Sequence, residues 1–215
     1  MTIKLHLGCG QIYFDGYLNI DYPLSEHTVQ VSSVADLYSD ITKLKYRKDE
    51  ISEIRLHHVF EHFRRQQAAA LIAIWAFWIH PGGRLYIEVP DLRKMAKILS
   101  SSFTGMKARA VAERHLYGSH EAHWAAHYEA YDSKIMKVLL QTFGFNVTKI
   151  KDSYWKGIWN LHVFAVRNEE DFTKEKILKS AREYFKLFLV DNSEGELKML
   201  DVWMTDFELQ LNIGI

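Results

Sequence analysis

Lys4-Leu5-His6-Leu7-Gly8-Cys9-Gly10, near the start of the 215-residue chain, decides how the rest is read. Leu5 and Leu7 lie in a short run closed by glycine, which predicts a buried strand entering a tight turn. Glycine at positions 8 and 10 permits positive φ and lets a ligand approach the backbone. The next apolar run, Gly16-Tyr17-Leu18-Asn19-Ile20, ends in Asp21, eleven residues after Gly10. A Gly-rich turn after one strand and a carboxylate after the next is the nucleotide-binding arrangement of doubly wound sheets, where the acid takes ribose hydroxyls. The dinucleotide version needs a third glycine, and that position holds Tyr13. The plainer alternative is that two glycines make a turn and Asp21 caps a loop.

Composition narrows the classes. Lys plus Arg equals Asp plus Glu, 27 each, so the chain carries no overall electrostatic footprint for nucleic acid or an anionic membrane. A single cysteine, Cys9, excludes an internal disulfide framework and fits a reducing compartment. The longest apolar run, Ala68–Ile79, is too short to span a bilayer, and the N-terminus reads as a strand rather than a signal peptide. A cytoplasmic protein is expected.

Along the chain, residues 28–34 alternate and predict a short strand, and Asp40-Ile41 follows as a turn with a capping acid. Glu53–His58 reads as a strand and Arg64–Ile79 as an amphipathic helix, with Trp75 and Trp78 as core. His80-Pro81-Gly82-Gly83 stops that helix, and Arg84–Val89 is the next strand. Asp91 and Asp132-Ser133 read as caps of helices over 92–100 and 132–143. Strands are expected over 144–150 and 161–166, and a helix with a packed apolar stripe over 173–190. The apolar stretch Leu197–Ile215 reads as an edge strand or an oligomer contact, hence a possible homodimer through the C-terminal extension.

Two histidine groups carry candidate chemistry. His58-Val59-Phe60-Glu61-His62 matches H-x-x-E-H, a zinc-peptidase pattern whose expected context is a long helix. His120, His123 and His127 fall at i, i+3 and i+7, one face if the segment is helical. They lie in a charged, aromatic insertion over 106–131, where a histidine base, a metal site or a solvated face all fit the spacing.

The segment Leu5–Asp21 resembles the class I S-adenosylmethionine (SAM)-dependent methyltransferases, above all small bacterial and phage-type members with L-x-L-G-C-G…G-Y-x-N-x-D. His80–Asp91, reading H-P-G-G-R-L-Y-I-E-V-P-D, resembles their P-G-G-x-L-x-I-x-V-P-D, and the resemblance spans roughly residues 3–167. It implies a Rossmann-like, doubly wound seven-stranded α/β sheet with the last strand antiparallel. It implies SAM as cofactor, held by Gly8, Cys9, Gly10 and Asp21, with Asp40 and Ile41 near the adenine and His58 and His62 at the methionine end. The insertion would cover the substrate side, and His120, His123 and His127 are the expected catalytic set. The expected domains are 1–168, binding SAM, and 169–215, a helical extension. The expected reaction is methyl transfer to an O or N nucleophile of a small-molecule or glycan-related acceptor, with no metal, nucleic acid or membrane span. The alternatives are a non-catalytic SAM-binding regulatory or assembly protein, and the zinc peptidase.

Overall fold

Leu5 and Leu7 are wholly buried in the first strand, and their neighbours Lys4 and His6 point to the other face, as period-two alternation requires. The computed structural model describes residues 2–27, 29, 32–170 and 173–215. Its strands are β1 Ile3–Leu7, β2 Leu18–Asp21, β3 Leu37–Tyr38, β4 Ile51–His57, β5 Ile79–Pro90, β6 Phe145–Trp155 and β7 Ile158–Arg167. They form one sheet in the order β3-β2-β1-β4-β5-β7-β6. β1 to β5 are mutually parallel, and β7 runs antiparallel to both its neighbours. The order reverses between β1 and β4, the switch point at which open α/β sheets bind ligands.

The helices are α1 Arg65–Trp78, α2 Leu92–Ser100, α3 Met106–Tyr117, α4 Ser133–Thr142, α5 Lys174–Lys186 and α6 Glu194–Gly214. α1 is buried almost all round because its alanines let the sheet and α6 approach closely. Trp75 and Trp78 are fully buried, as expected, and Trp78 Nε1 donates to the Gly214 carbonyl of α6 at 2.9 Å. Leu5, Leu56, Ile87 and Val89 of the sheet share one core with α1, α4, α5 and α6. The opposite sheet face carries Lys4, His6, Arg55, His57, Tyr86 and His162. There the loop between β1 and β2 lays Phe14 over the sheet, and the Arg55 guanidinium sits 4.8 Å from the Phe14 ring and 4.7 Å from the Tyr86 ring.

Asp91 caps α2, accepting from Lys94 N at 3.0 Å, and Asp132 caps α4, both as predicted. Three expectations change. The strand over 28–34 is not seen: Thr28, Gln30 and Val31 lie outside the described residues, 32–35 have no regular structure, and β3 is Leu37–Tyr38. The stretch 80–83 does not separate helix from strand, because β5 starts at Ile79 and carries Pro81-Gly82-Gly83 as an irregularity in its ladder with β4. A Cβ on Gly83 would meet Ser52 O at 3.0 Å. Leu197–Ile215 is not an edge strand. It is helix: Leu200, Phe207 and Leu211 recur at helical spacing, and Ser193 caps its start through Glu196 N. Among the described residues no helix is long and apolar enough to cross a membrane.

Candidate functional site

At the carboxyl ends of β1, β2 and β4 the chain leaves a cavity of about 800 Å³. Its floor is made by Gly8, Gly10, Asp21, Asp40 and Ile41, and its opposite wall includes His58, His62, His123 and Trp124. The predicted binding set therefore converges from the ends of four strands, β1 to β4, with the exception of Cys9. The Cys9 side chain turns inward and is 3 % exposed, and burial, then the charge of Asp21, pushes its thiol up to about 11. It packs as a small residue and offers no reactive thiolate.

The turn after β1 needs glycine for two reasons. Gly8 and Gly10 have φ of 67° and 55°. A Cβ on Gly8 would also lie 2.2 Å from Val59 Cγ2, because the chain leaving β4 crosses directly against it. Asp21, 6 % exposed, accepts from Ser33 Oγ at 2.8 Å and from Tyr22 N at 2.9 Å. Ser33 also reaches Gly10 O at 3.1 Å, so it ties the glycine turn to the acid. Asp40 is a capping residue, accepting from Thr42 N and Oγ1, and it also lines the cavity.

The other wall is held by Glu88, which the sequence reading passed over. It contacts His57 Nδ1 at 2.8 Å, accepts from Tyr86 OH at 3.1 Å and Asn160 Nδ2 at 3.0 Å, and lies 3.6 Å from His58 Nε2. Burial works against its charge, but hydrogen bonds and imidazoles outweigh that and hold the carboxyl far below its usual range. His58 closes β4 at φ 52°, a conformation a non-glycine residue holds at a cost. Burial disfavours its charged form, yet Glu61 and Glu88 lift its pKa to about 10, so it stands as a cation at the cavity wall.

The insertion departs from its expected form. α3 ends at Tyr117, Gly118 turns away at φ 91°, and His120 sits at φ 58°. His120, His123 and His127 thus do not share a helical face. The exposed His120 ring contacts the Tyr117 carbonyl at 2.7 Å and lines neither this cavity nor its neighbour. His123 lines the main cavity. His127 lines an adjoining one, of about 350 Å³, with His115 and Arg114. Burial lowers the His127 pKa to about 4 and lowers that of His115. The peptidase pattern fails for a similar reason: Phe60–His62 is a single 3₁₀ turn, and His58 bonds Glu61 rather than pairing with His62 across a helix. Trp124 was also missed; its Nε1 donates to Glu26 O at 2.8 Å and brings the insertion against the loop after β2.

The sequence matches no protein-family model and no curated protein. Solved structures are similar in shape. One is a chain of the Haloferax volcanii complex between the Trm112 methyltransferase activator and a putative methyltransferase, at 12 % identity and TM-score 0.56, covering 80 % of this chain and 84 % of that one. Another is an S-adenosylmethionine-dependent methyltransferase from Mesorhizobium loti, at 13 % identity and TM-score 0.51, covering 77 % and 90 %. A third is the Burkholderia thailandensis 1,6-didemethyltoxoflavin-N1-methyltransferase, crystallised with its substrate and S-adenosylhomocysteine, at 13 % and TM-score 0.50, covering 78 % and 72 %. The fold is that of the SAM-dependent methyltransferases, as the sequence resemblance implied.

Proposed function

We propose that this chain binds SAM in the 800 Å³ cavity and moves its methyl group to an O or N nucleophile of a small-molecule or glycan-related acceptor. One observation carries the reading. The positive-φ glycine turn after β1, the carboxylate ending β2 and the Asp40-Ile41 turn after β3 face one cavity at the switch point of the sheet. Asp21 takes the ribose hydroxyls, Gly8 and Gly10 let the cofactor lie against the backbone, and Ile41 offers an apolar contact for adenine. His58 and His62 stand beyond the switch point, towards the methionine end.

When bound, the cofactor supplies an activated methyl on a sulfonium. The chain aligns the acceptor and excludes water. His123 is the imidazole of the expected catalytic set that faces this cavity and can receive a proton from the acceptor.

Calorimetry with S-adenosylhomocysteine tests the binding half. Asp21→Ala is expected to weaken affinity by about 1–3 kcal/mol, the range of charge-assisted hydrogen bonds. Unchanged affinity, or tighter binding of NAD, would remove the assignment. Turnover on a panel of hydroxyl and amine acceptors then separates an enzyme from a non-catalytic SAM-binding protein.

A further inference from the structure

Glu61 is a fully sequestered acid beside the proposed methyl-transfer site, paired through one oxygen with His58 and with no Lys or Arg salt bridge among the described residues. It is 1 % exposed, its Oε1 meets His58 Nδ1 at 3.3 Å, and its Oε2 is buried with no hydrogen-bond partner. A buried carboxylate oxygen without a donor costs free energy unless something positive faces it. His62 and His127 face it, with ring centroids 4.6 Å apart and planes nearly perpendicular. One donor atom from each of Glu61, His62 and His127 lies within 4.8 Å of the others.

We propose that Glu61, His62 and His127 bind a divalent transition-metal ion, zinc by the chemistry of the set, with an open coordination position towards the 350 Å³ cavity. Two imidazoles and a carboxylate are a ligand set of catalytic zinc, which keeps its fourth position for water or substrate. The outer partners are in place. His62 Nδ1 lies 3.2 Å from the Ala126 carbonyl oxygen, which can only accept, so Nδ1 carries the proton and Nε2 presents a lone pair. Glu61 is oriented by His58, and His127 Nδ1 is buried without a partner.

The backbone holds these groups together. Tyr128 N and Glu129 N both donate to Glu61 O, at 2.9 and 3.3 Å, and His127 N donates to Tyr117 O at 3.1 Å. Gly118 permits that pairing, since a Cβ there would lie 2.0 Å from Ala125 O. The donors lie within 4.8 Å of one another, so the two rings must turn for them to close on the roughly 2 Å radius of a zinc shell. The set differs from the H-x-x-E-H pairing: His127 replaces His58 as the second imidazole, and the ion departs from the expectation of no metal.

The ion's use rests on the methyl-transfer reading; its binding does not. The two cavities share His58, His62 and Trp124 in their walls. A bound ion would let an acceptor hydroxyl give up its proton more readily, to His123 or to solvent. The resulting oxygen forms a bond to the sulfonium methyl carbon. The carbon–sulfur bond breaks, and sulfur keeps the electron pair as the thioether.

The test is a Co²⁺ titration of the metal-free full chain, read by visible absorption and circular dichroism. The expected result is saturation at one Co²⁺ per chain, with d–d bands of a low-coordinate site that Zn²⁺ displaces. His127→Ala, and independently His62→Gln, should weaken Co²⁺ by more than about tenfold. Helical signal should persist in both, and His80→Ala, outside both cavities, should bind as the parent does. No saturable Co²⁺ in the folded parent, or parent-like binding in both ligand variants, overturns the site. S-adenosylhomocysteine calorimetry on the same samples separates the two ideas. Co²⁺ bound without S-adenosylhomocysteine keeps the ion site and removes the methyl-transfer reading; the converse removes the ion site alone.

Discussion

The floor of the main cavity and the wall opposite it are built by different means. The floor is strand ends: Gly8, Asp21 and the turn at Asp40 sit where the parallel ladder places them, and Ser33 ties two of them together. The wall joins the turn after β4, with His58 and His62, to a long excursion between β5 and α4 that is pinned to the rest at a few points, chiefly Trp124 on Glu26 and Tyr128 on Glu61. A floor made of the sheet cannot change without disturbing the core. A wall made of a pinned loop can change its side chains while the fold stays. Substitutions on the floor should therefore cost stability, and substitutions on the wall should cost chemistry.

Gly8→Val is the strongest challenge to that division. Its Cβ clashes with Val59 and its φ of 67° is unfavourable for a branched residue. Strain and overpacking together predict about 2–5 kcal/mol of lost stability, read from the urea midpoint. A fully stable Gly8→Val protein would show that the floor is not part of the core.

His6 lies under the floor, 1 % exposed and bonded to Asn19 Oδ1, and burial lowers its pKa to about 4 from 6.5. Between those values the unfolded chain binds a proton that the folded chain refuses. Stability should thus fall as pH drops from 6.5 to 4, by about 3 kcal/mol from this group, and be independent of it above 6.5. Denaturant titrations at several pH values check this, and His6→Gln should flatten that limb of the profile.

Gly118→Ala is the matching change on the wall. The clash is with backbone, Ala125 O at 2.0 Å, so about 1–3 kcal/mol of strain is expected. S-adenosylhomocysteine affinity should stay close to the parent while acceptor turnover is lost. Loss of both would mean that the wall and floor form one unit. The smallest effect is expected from Gln210→Ala. Gln210 of α6 donates to Thr42 O at 2.8 Å and props the turn that carries Asp40. Its removal should lower stability by about 1 kcal/mol and slightly loosen the cofactor, measured by thermal shift with and without S-adenosylhomocysteine.

The floor was legible in the sequence because its signals are local. Leu5 and Leu7 alternate, glycine follows, and an acid ends the next apolar run. The wall was not, because its members meet across distance: Glu88 and Asn160 come from strands paired in register, and His127 approaches Glu61 only after Gly118 has ended α3. Imidazole spacing in the insertion suggested a helical face, but a single glycine at positive φ overrides periodicity. The C-terminal extension is helical as expected, but the edge-strand reading of 197–215 was a different kind of miss. Ser193-Glu194-Gly195-Glu196 is a readable capping box, outweighed in the reading by the apolar aromatic stretch that follows. α5 was read correctly as a helix packed on the core.

The two faces of the sheet differ so strongly that they also guard its assembly. One face is aliphatic and meets the helices; the other carries Arg55, His57, Tyr86, Glu88 and His162, with aromatic rings laid over the guanidinium. Because successive side chains alternate, β4 or β5 paired one residue out of step would thrust that cation and that carboxylate under α1. Such a mispaired intermediate would have to bury charge in an alanine-lined interface, so it cannot compete with the native pairing. The polar face thus works as a register key, and a chain with Arg55, Tyr86 and His162 all replaced by valine should refold more slowly and aggregate more readily.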